Sequence, residues 1–495
     1  MTSAAAQPSP APRIEPHVWR IGIVVVLGAI MSVLDMTIVN VALDDLAKEL
    51  HSPLQDIQWV VTGYMLALAA VIPVTGWAAR RFGSRRLYLA SLVAFTAGSA
   101  LCGIAWSTGS LVAFRIVQGF GGGMILPVGQ MILVKASGPR NLPRVMSAIG
   151  IVVILAPILG PTLGGLLLDH AGWQWIFLVN VPLGITAVIV ALRLLPKDEP
   201  EDAGRLDAIG LGLVAIGLVG ITYGLSETGS SGSLTSLSVV VPVLVGAVLV
   251  AAFVVRSLRI PVPLLDLRLY ADRAFAAASL TTFCLGAALF GGMILMPLYF
   301  QTVRGEDALA TGLLLMPQGI GVAIAMRLSA TATERLGAGM TAVIGTVVTI
   351  VATLPFVLVG AATSYWLIGA AMVVRGLGIG MSMMPAMTAA FVVLRPDQIN
   401  HASPQLSVLQ RVGGSIGTAI LTVVLQRGLK GATGPDDAAA AFGSAYWWVM
   451  GVALFALVPT VVLAVVERRA RQAPRAVSEP LPAGPAAEVA VEAAA

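Results

Sequence analysis

One carboxylate stands inside VVLGAIMSVLDMTIVNVAL (25–43): Asp35 is the sole ionisable side chain of a run otherwise fit for a lipid interior. Charge at a bilayer centre costs roughly 2.5–3.5 kcal/mol on insertion scales, so an acid kept there has a function by default. Burial penalises the charged carboxylate, which suits such a group to bind and release a proton. The alternative is a structural acid, hydrogen-bonded to a neighbouring helix or facing water in a cavity. Four arginines, Arg115, Arg327, Arg375 and Arg411, also fall inside apolar segments. Arg115 lies in the outer third of its segment, where its head could snorkel to the interface. Glu227, in YGLSETG, reads either as an interfacial helix-end acid or as a secondary cation or proton site. Arg375, Met381, Met384, Gln410 and Arg411 are candidates to line a cavity. Met381, Met383, Met384 and Met387 would make a soft wall for varied apolar compounds, or simply a packed core.

No other chemistry suggests itself. Cys102 and Cys284 both lie in apolar segments and read as packing residues, so neither a disulfide framework nor a metal site is expected. No nucleophile stands with a paired histidine among the four histidines, and no Walker pattern is apparent. Neither an enzyme nor a nucleotide-driven machine is expected.

The elements that must position these residues are membrane helices. The 495 residues are 57% hydrophobic and 11% charged, with a mean hydropathy of +0.90. A soluble domain carries about 25% charged residues, so this is an all-α polytopic membrane protein. Its net charge of +5 sits in short loops between apolar runs and is no sign of nucleic-acid binding. Punctuation by polar, Gly and Pro residues predicts fourteen spans. They are 18–43, 55–79, 85–105, 108–135, 142–168, 173–195, 207–227, 235–257, 273–302, 309–333, 339–360, 364–394, 403–428 and 443–466. The Pro/Ala-rich start (1–17) and low-complexity end (467–495) are expected to be disordered tails, with no cleaved signal peptide. If the N-terminus is cytoplasmic, the outer loops hold only Lys48, Arg304, Arg427 and Lys430, and most other basic residues lie inside. This bias predicts both termini in the cytoplasm.

The chain repeats itself. QGFGGGM (118–124) returns as RGLGIGM (375–381), and ARRFGS (79–84) as TERLGA (333–338), at offsets of 257 and 254 residues. Two unrelated motifs at nearly one offset indicate a duplicated half. The expected layout is a six-helix bundle (18–195), an inserted helix pair (207–257) and a second six-helix bundle (273–466).

Four stretches, in order, carry a family likeness: LDMTIVNVAL (34–43), GWAARRFGSRR (76–86), RIVQGFGGG (115–123), and GPTLGG (160–165) followed by GWQWIFLVNVPLG (172–184). The chain resembles the major facilitator superfamily, in particular its fourteen-helix drug:proton antiporters of the EmrB/QacA type. That resemblance implies two six-helix bundles around a central cavity plus two extra central helices. It further implies alternating access, with export of amphipathic, cationic or neutral lipophilic compounds in exchange for protons across the cytoplasmic membrane. By the same likeness Asp35 couples protons to substrate and a cationic drug competes for its charge. Arg115 supports proton transfer, with Gln118 and Gly119 completing the fourth-helix motif. Gly160, Pro161, Gly164 and Gly165 form a leak-proof seam that favours exchange. The loop motif (Gly76, Arg81, Gly83, Arg85, Arg86, with Glu334 and Arg335 in the other half) either latches the two halves or merely signals topology. Two departures stand out: Arg80 occupies the usual loop aspartate position, and Ser147 and Ala156 replace earlier glycines of the antiporter motif. Expected partners are lipophilic small molecules, protons and the bilayer. No cofactor is expected, and the need for an adaptor protein stays open. Export of one endogenous metabolite or lipid, or symport import, are the competing readings.

Overall fold

The computed structural model describes residues 16–198, 200–228 and 233–472, which form helices and loops with no strand among them. The first helix, α1 (Pro16–Val41), opens on a proline, whose missing N–H costs nothing at a helix start. A short α2 (Leu43–Glu49) follows. Then α3 (Leu54–Val71) runs through a 3-10 turn at Ile72–Val74 into α4 (Thr75–Phe82). Gly83 turns the chain at φ 86° into α5 (Ser84–Gly103). A capping box of Ser107 and Ser110 starts α6 (Thr108–Ala171), in which Gly138 takes φ 63°, ψ 169°. That residue splits α6 into two antiparallel arms. Gln118 and Gly160, at similar chain distances on either side of it, both reach the same level of α1, beside Asp35 and Thr37. Short α7 (Gln174–Leu178) and α8 (Asn180–Leu194) complete the first half.

The inserted pair is α9 (Ala208–Ser226) and α10 (Leu237–Arg259). The second half comprises α11 (Arg273–Thr302), α12 (Ala308–Leu336), α13 (Ala338–Val357), α14 (Tyr365–Val392), α15 (Ile399–Lys430) and α16 (Pro435–Gln472). Thirteen helices among the described residues are long and apolar enough to cross a membrane. The remaining predicted span, 142–168, is the second arm of α6.

Helix limits differ from expectation mainly in the last two spans. α15 begins at Ile399 and α16 at Pro435, ahead of the predicted 403 and 443. The final helix also continues past 466, so the predicted tail at 467 begins inside a helix. Glu467 explains this: its carboxylate accepts from Ala338 N (3.0 Å) and Gly339 N, tying the end of α16 to the start of α13. At the other end, the helix start at Pro16 overlaps the predicted tail 1–17. The rest of both predicted tails lies outside the described residues.

Within each half the helices pack on one another, and the two halves meet chiefly where α12 and α14 lie on α6, and also where α15 lies on α4 and α6. The inserted pair lies on one flank. α9 packs against α3 and α15, with Trp59 and Tyr223 stacked at 5.8 Å, while α10 packs chiefly against α9 and leaves Leu237, Leu244 and Val248 exposed. Such an apolar exterior is what lipid contact requires.

Candidate functional site: a buried ion pair in the first half

Asp35 is wholly buried, in the last two turns of α1. Its Oδ2 accepts from Arg115 Nη1 at 2.6 Å. Its Oδ1 accepts from Gln118 Nε2 and Asn180 Nδ2, each at 2.9 Å. Arg115 and Gln118 stand one turn apart on the first arm of α6, so both point at one spot on α1, and Asn180 comes from the start of α8. Gln118 also donates to Ser99 Oγ at 2.6 Å and accepts from Arg115 Nη1 at 2.7 Å through Oε1. The guanidinium is held further by Val60 O (Nε, 3.1 Å) and lies 4.0 Å above the Tyr64 ring. Five membrane segments thus converge on one carboxylate.

Desolvating two ions costs several kcal/mol each, which only close geometry and extra hydrogen bonds can offset. Asp35 has both. Two of the open alternatives are decided against, and Asp35 is hydrogen-bonded to neighbouring helices. Arg115 does not snorkel: it is 1% exposed and turned inward to Asp35. Asp35 faces neither lipid nor open water here, and a cation seeking its charge would have to displace Arg115.

The antiporter glycines sit directly above this pair. A Cβ added at Gly160 would collide with Thr37 Oγ1, and one at Gly164 would press on Ile38 O at 3.2 Å. Their smallness lets the second arm of α6 lie against α1 within one turn of Asp35. Gly165 is different: open space surrounds it, so it takes no part in a tight seam. The side chains of Pro161 and Ser147 lie outside the described residues. Gly119 seats α6 against Ala67 and the Tyr64 carbonyl.

The loop motif lies where the halves touch. Pro404 has no N–H to offer the Asn400 carbonyl, and that carbonyl faces Gly76, where any Cβ would strike it. The acid missing at Arg80 comes from the linker after α8. Asp198 accepts from the backbone N–H of Ser84 and of Arg85 (3.1 Å), capping α5. Glu201 N donates to Arg80 O at 2.8 Å, and Glu201 pairs with Lys135 at 3.6 Å. Glu467 caps α13 in the same way, and Gly337 at φ 98° repeats Gly83. Arg85 donates to Leu192 O at 2.6 Å, whereas Arg81, Arg86 and Arg335 are exposed. Among the described residues the ion pair that bridges the halves is instead Glu334 with Arg144, 2.8 Å. Ser403 Oγ adds a hydrogen bond to Pro127 O at 2.9 Å. All these contacts lie at the end of the molecule that carries the chain termini. There α15 packs on α4 and the 3-10 turn but makes no comparable packing with α3, so this seam is closed at the termini end and open beyond it, while the seam of α6 with α12 stays in contact as far as Thr162 and Gly312.

The predicted cavity residues divide. Met383, Met384 and Met387 join Met326, Val322 and Leu289 in a buried cluster, and Met384 reaches Gly150 of the first half. Met381 lies outside that cluster, its backbone against Gly345 of α13. Gln410 lies 4.0 Å from Met383 Sδ. Arg411 is half-buried and near enough to Tyr64 to act on it electrostatically. Arg375 is buried in the second half, as its repeat position requires. Arg327 is exposed. Glu227 ends α9, on an element that contributes none of Asp35's hydrogen-bond partners. Sequence reasoning missed Asn180, Ser99 and Tyr64 as partners of the ion pair.

The profile of the Major Facilitator Superfamily matches residues 25–418. The chain belongs to that superfamily. Within it the chain is of the EmrB type. It is 40% identical over 416 residues to the multidrug resistance protein B homolog of Mycobacterium tuberculosis H37Rv, covering 83% of this chain and 77% of that one. It is 33% identical to the methylenomycin A resistance protein of Bacillus subtilis (86% and 91% covered). It is also 31% identical to the multidrug export protein EmrB of Escherichia coli K12 (80% and 78% covered). Among solved structures, the human organic anion transporter MFSD10 shares the superfamily fold with a TM-score of 0.60 at 15% identity, covering 91% of this chain and all of that one. Among the described residues no group of His, Cys, Asp and Glu is placed to hold a metal.

Proposed function

We propose that this chain exports lipophilic small molecules from the cytoplasm in exchange for protons, with Asp35 as the coupling carboxylate. The names of its relatives support a drug-efflux role, and the Asp35 cluster supports the coupling. The single observation carrying the reading is a fully buried acid on α1 whose partners from α6 and α8 are themselves held by α3 and α5. While Asp35 is ionised, Coulomb attraction in a dry site clamps α1 to the first arm of α6. Protonation discharges that clamp and leaves Arg115 to Gln118 Oε1, the Val60 carbonyl and the Tyr64 ring. Thr37 and Ile38 then bear less firmly on the second arm of α6, which touches the other half at Gly150, Thr162 and Arg144. A proton at Asp35 is thereby felt at the seam between the halves.

With both termini cytoplasmic, as the loop charges favour, the closed end faces the cytoplasm and the parted end faces outward. A proton from outside would reach Asp35 from the nearer end of α1. One proton moving down 100 mV supplies about 2.3 kcal/mol, so no nucleotide is required. Because Arg115 already neutralises Asp35 and Arg411 adds a positive charge nearby, neutral lipophiles suit the crevice better than cations do. A narrow substrate range is the second reading, favoured by the 33% identity to a protein named for resistance to one compound.

The test is accumulation of a panel of fluorescent lipophiles, ethidium among them, in cells with and without the protein. Expression should lower accumulation of at least one neutral member, and an uncoupler should restore it. Export that survives the uncoupler would exclude proton coupling.

A further inference from the structure

The second half carries its own buried cation without an acid. The repeat offset of 257 takes Gln118 to Arg375 and Asp35 to position 292, which is a glycine. The geometry respects that correspondence: a Cβ added at Gly292 would collide with Arg375 Nη2, where Asp35 in the first half reaches Arg115. Arg375 is 2% exposed and makes no ion pair among the described residues. Its Nη1 donates to Gln318 Oε1 only at 3.5 Å, and its Nε has no protein acceptor. Its Cζ lies 5.8 Å from the Phe356 ring and 5.7 Å from the Tyr446 ring, which supply partial negative charge but no counter-ion.

Beside this guanidinium lies a cavity of about 20 Å³, whose polar lining is Arg375, Thr346, Thr349 and Ser382 and whose remaining walls are apolar side chains such as Leu289 and Val449. A space of that size holds one water-sized or slightly larger particle, and nothing as large as a lipophilic drug. Each hydroxyl now donates to a carbonyl of its own helix: Thr346 to Ala342 (2.8 Å), Thr349 to Gly345 (2.9 Å) and Ser382 to Ile379 (3.1 Å). Such back-bonds within a helix are weak, so the hydroxyls can rotate toward a stronger acceptor. A buried cation needs a charge partner more than it needs a solvating dipole.

We propose that this cavity binds one small monovalent anion of the halide class, which neutralises Arg375 as Asp35 neutralises Arg115. The first half thus carries its counter-charge covalently, and the second half borrows one from solution.

The experiment is thermal unfolding of the purified full-length protein, titrated with sodium chloride against sodium gluconate at constant ionic strength. Wild type should gain about 2–4 °C in Tm, saturably, in chloride and equally in bromide. Arg375→Gln should show no gain. Gly292→Asp, which tethers a carboxylate beside the guanidinium, should show no gain and should hold in gluconate the Tm that wild type reaches in chloride. Independently of either variant, bromide in crystals of wild type should give an anomalous peak between Arg375 and Ser382. Absence of a halide-specific gain in wild type, or an undiminished gain in Arg375→Gln, overturns the proposal. So does a gain from octanoate that chloride does not match, because the site would then belong to a transported carboxylate.

Discussion

Removing the charge of Asp35 while keeping its shape isolates what the ion pair contributes. In Asp35→Asn the amide can still accept from Gln118 or Asn180, but Arg115 loses its counter-ion at 2.6 Å in a site where both side chains are at most 1% exposed. Breaking a buried pair from one side typically costs roughly 3–5 kcal/mol, because the remaining charge stays desolvated. Arg115→Gln should cost a similar amount by stranding the carboxylate. The double variant removes both charges and leaves a neutral network in which the two introduced amides hydrogen-bond with Gln118 and Asn180. It should therefore be less damaged than the two losses added together, with a coupling of about 2–3 kcal/mol. The assay is a double-mutant cycle on unfolding of the purified protein in detergent. Strict additivity of the two single losses would refute the claim that these groups neutralise each other in a dry site.

Asn180→Leu keeps volume but removes one donor to Asp35 and should lower stability by about 1–2 kcal/mol, read in the same unfolding assay. It should also weaken uncoupler-sensitive export without abolishing it. Gly160→Val drives a branched side chain into Thr37; export in the cell-based assay should fall to background while membrane insertion, read by fluorescence of a C-terminal fusion, persists. The Arg144–Glu334 bridge is half-exposed, so Glu334→Ala should change stability by no more than about 1 kcal/mol. Because the bridge joins the halves at the termini end, Glu334→Ala should raise labelling of a cysteine placed at Ser403, and the swap of Arg144→Glu with Glu334→Arg should reverse that.

Much of this arrangement was legible because charge inside an apolar run is conspicuous. Asp35 and Arg115 could be singled out one by one, and the SGPRN break announced the turn between the arms of α6. That the two residues form one pair was not legible, since they lie 80 residues apart and a helix face cannot be oriented without its neighbours. Asn180 and Ser99 escaped notice for a different reason. Neutral polar residues in membrane helices usually bond to their own backbone, as Thr96 and Thr186 do here. Asp198 and Glu201 restore acids to a loop whose own sequence has lost one, which only the path of the linker reveals. Gly165 shows the opposite limit: a motif glycine can match in sequence and face open space. The repeat was legible at the level of motifs, but its most informative substitution, glycine where the first half has Asp35, required the contact between positions 292 and 375.

The central claim is that the proton carried by this transporter rides on Asp35. Its most direct measurement is proton flux in proteoliposomes holding the purified protein, with an interior pH dye and an outward gradient of a transported lipophile. Wild type should show proton movement opposite to the lipophile, and Asp35→Asn should bind the lipophile yet move no protons. Substrate-driven proton flux of undiminished rate in Asp35→Asn would contradict the account.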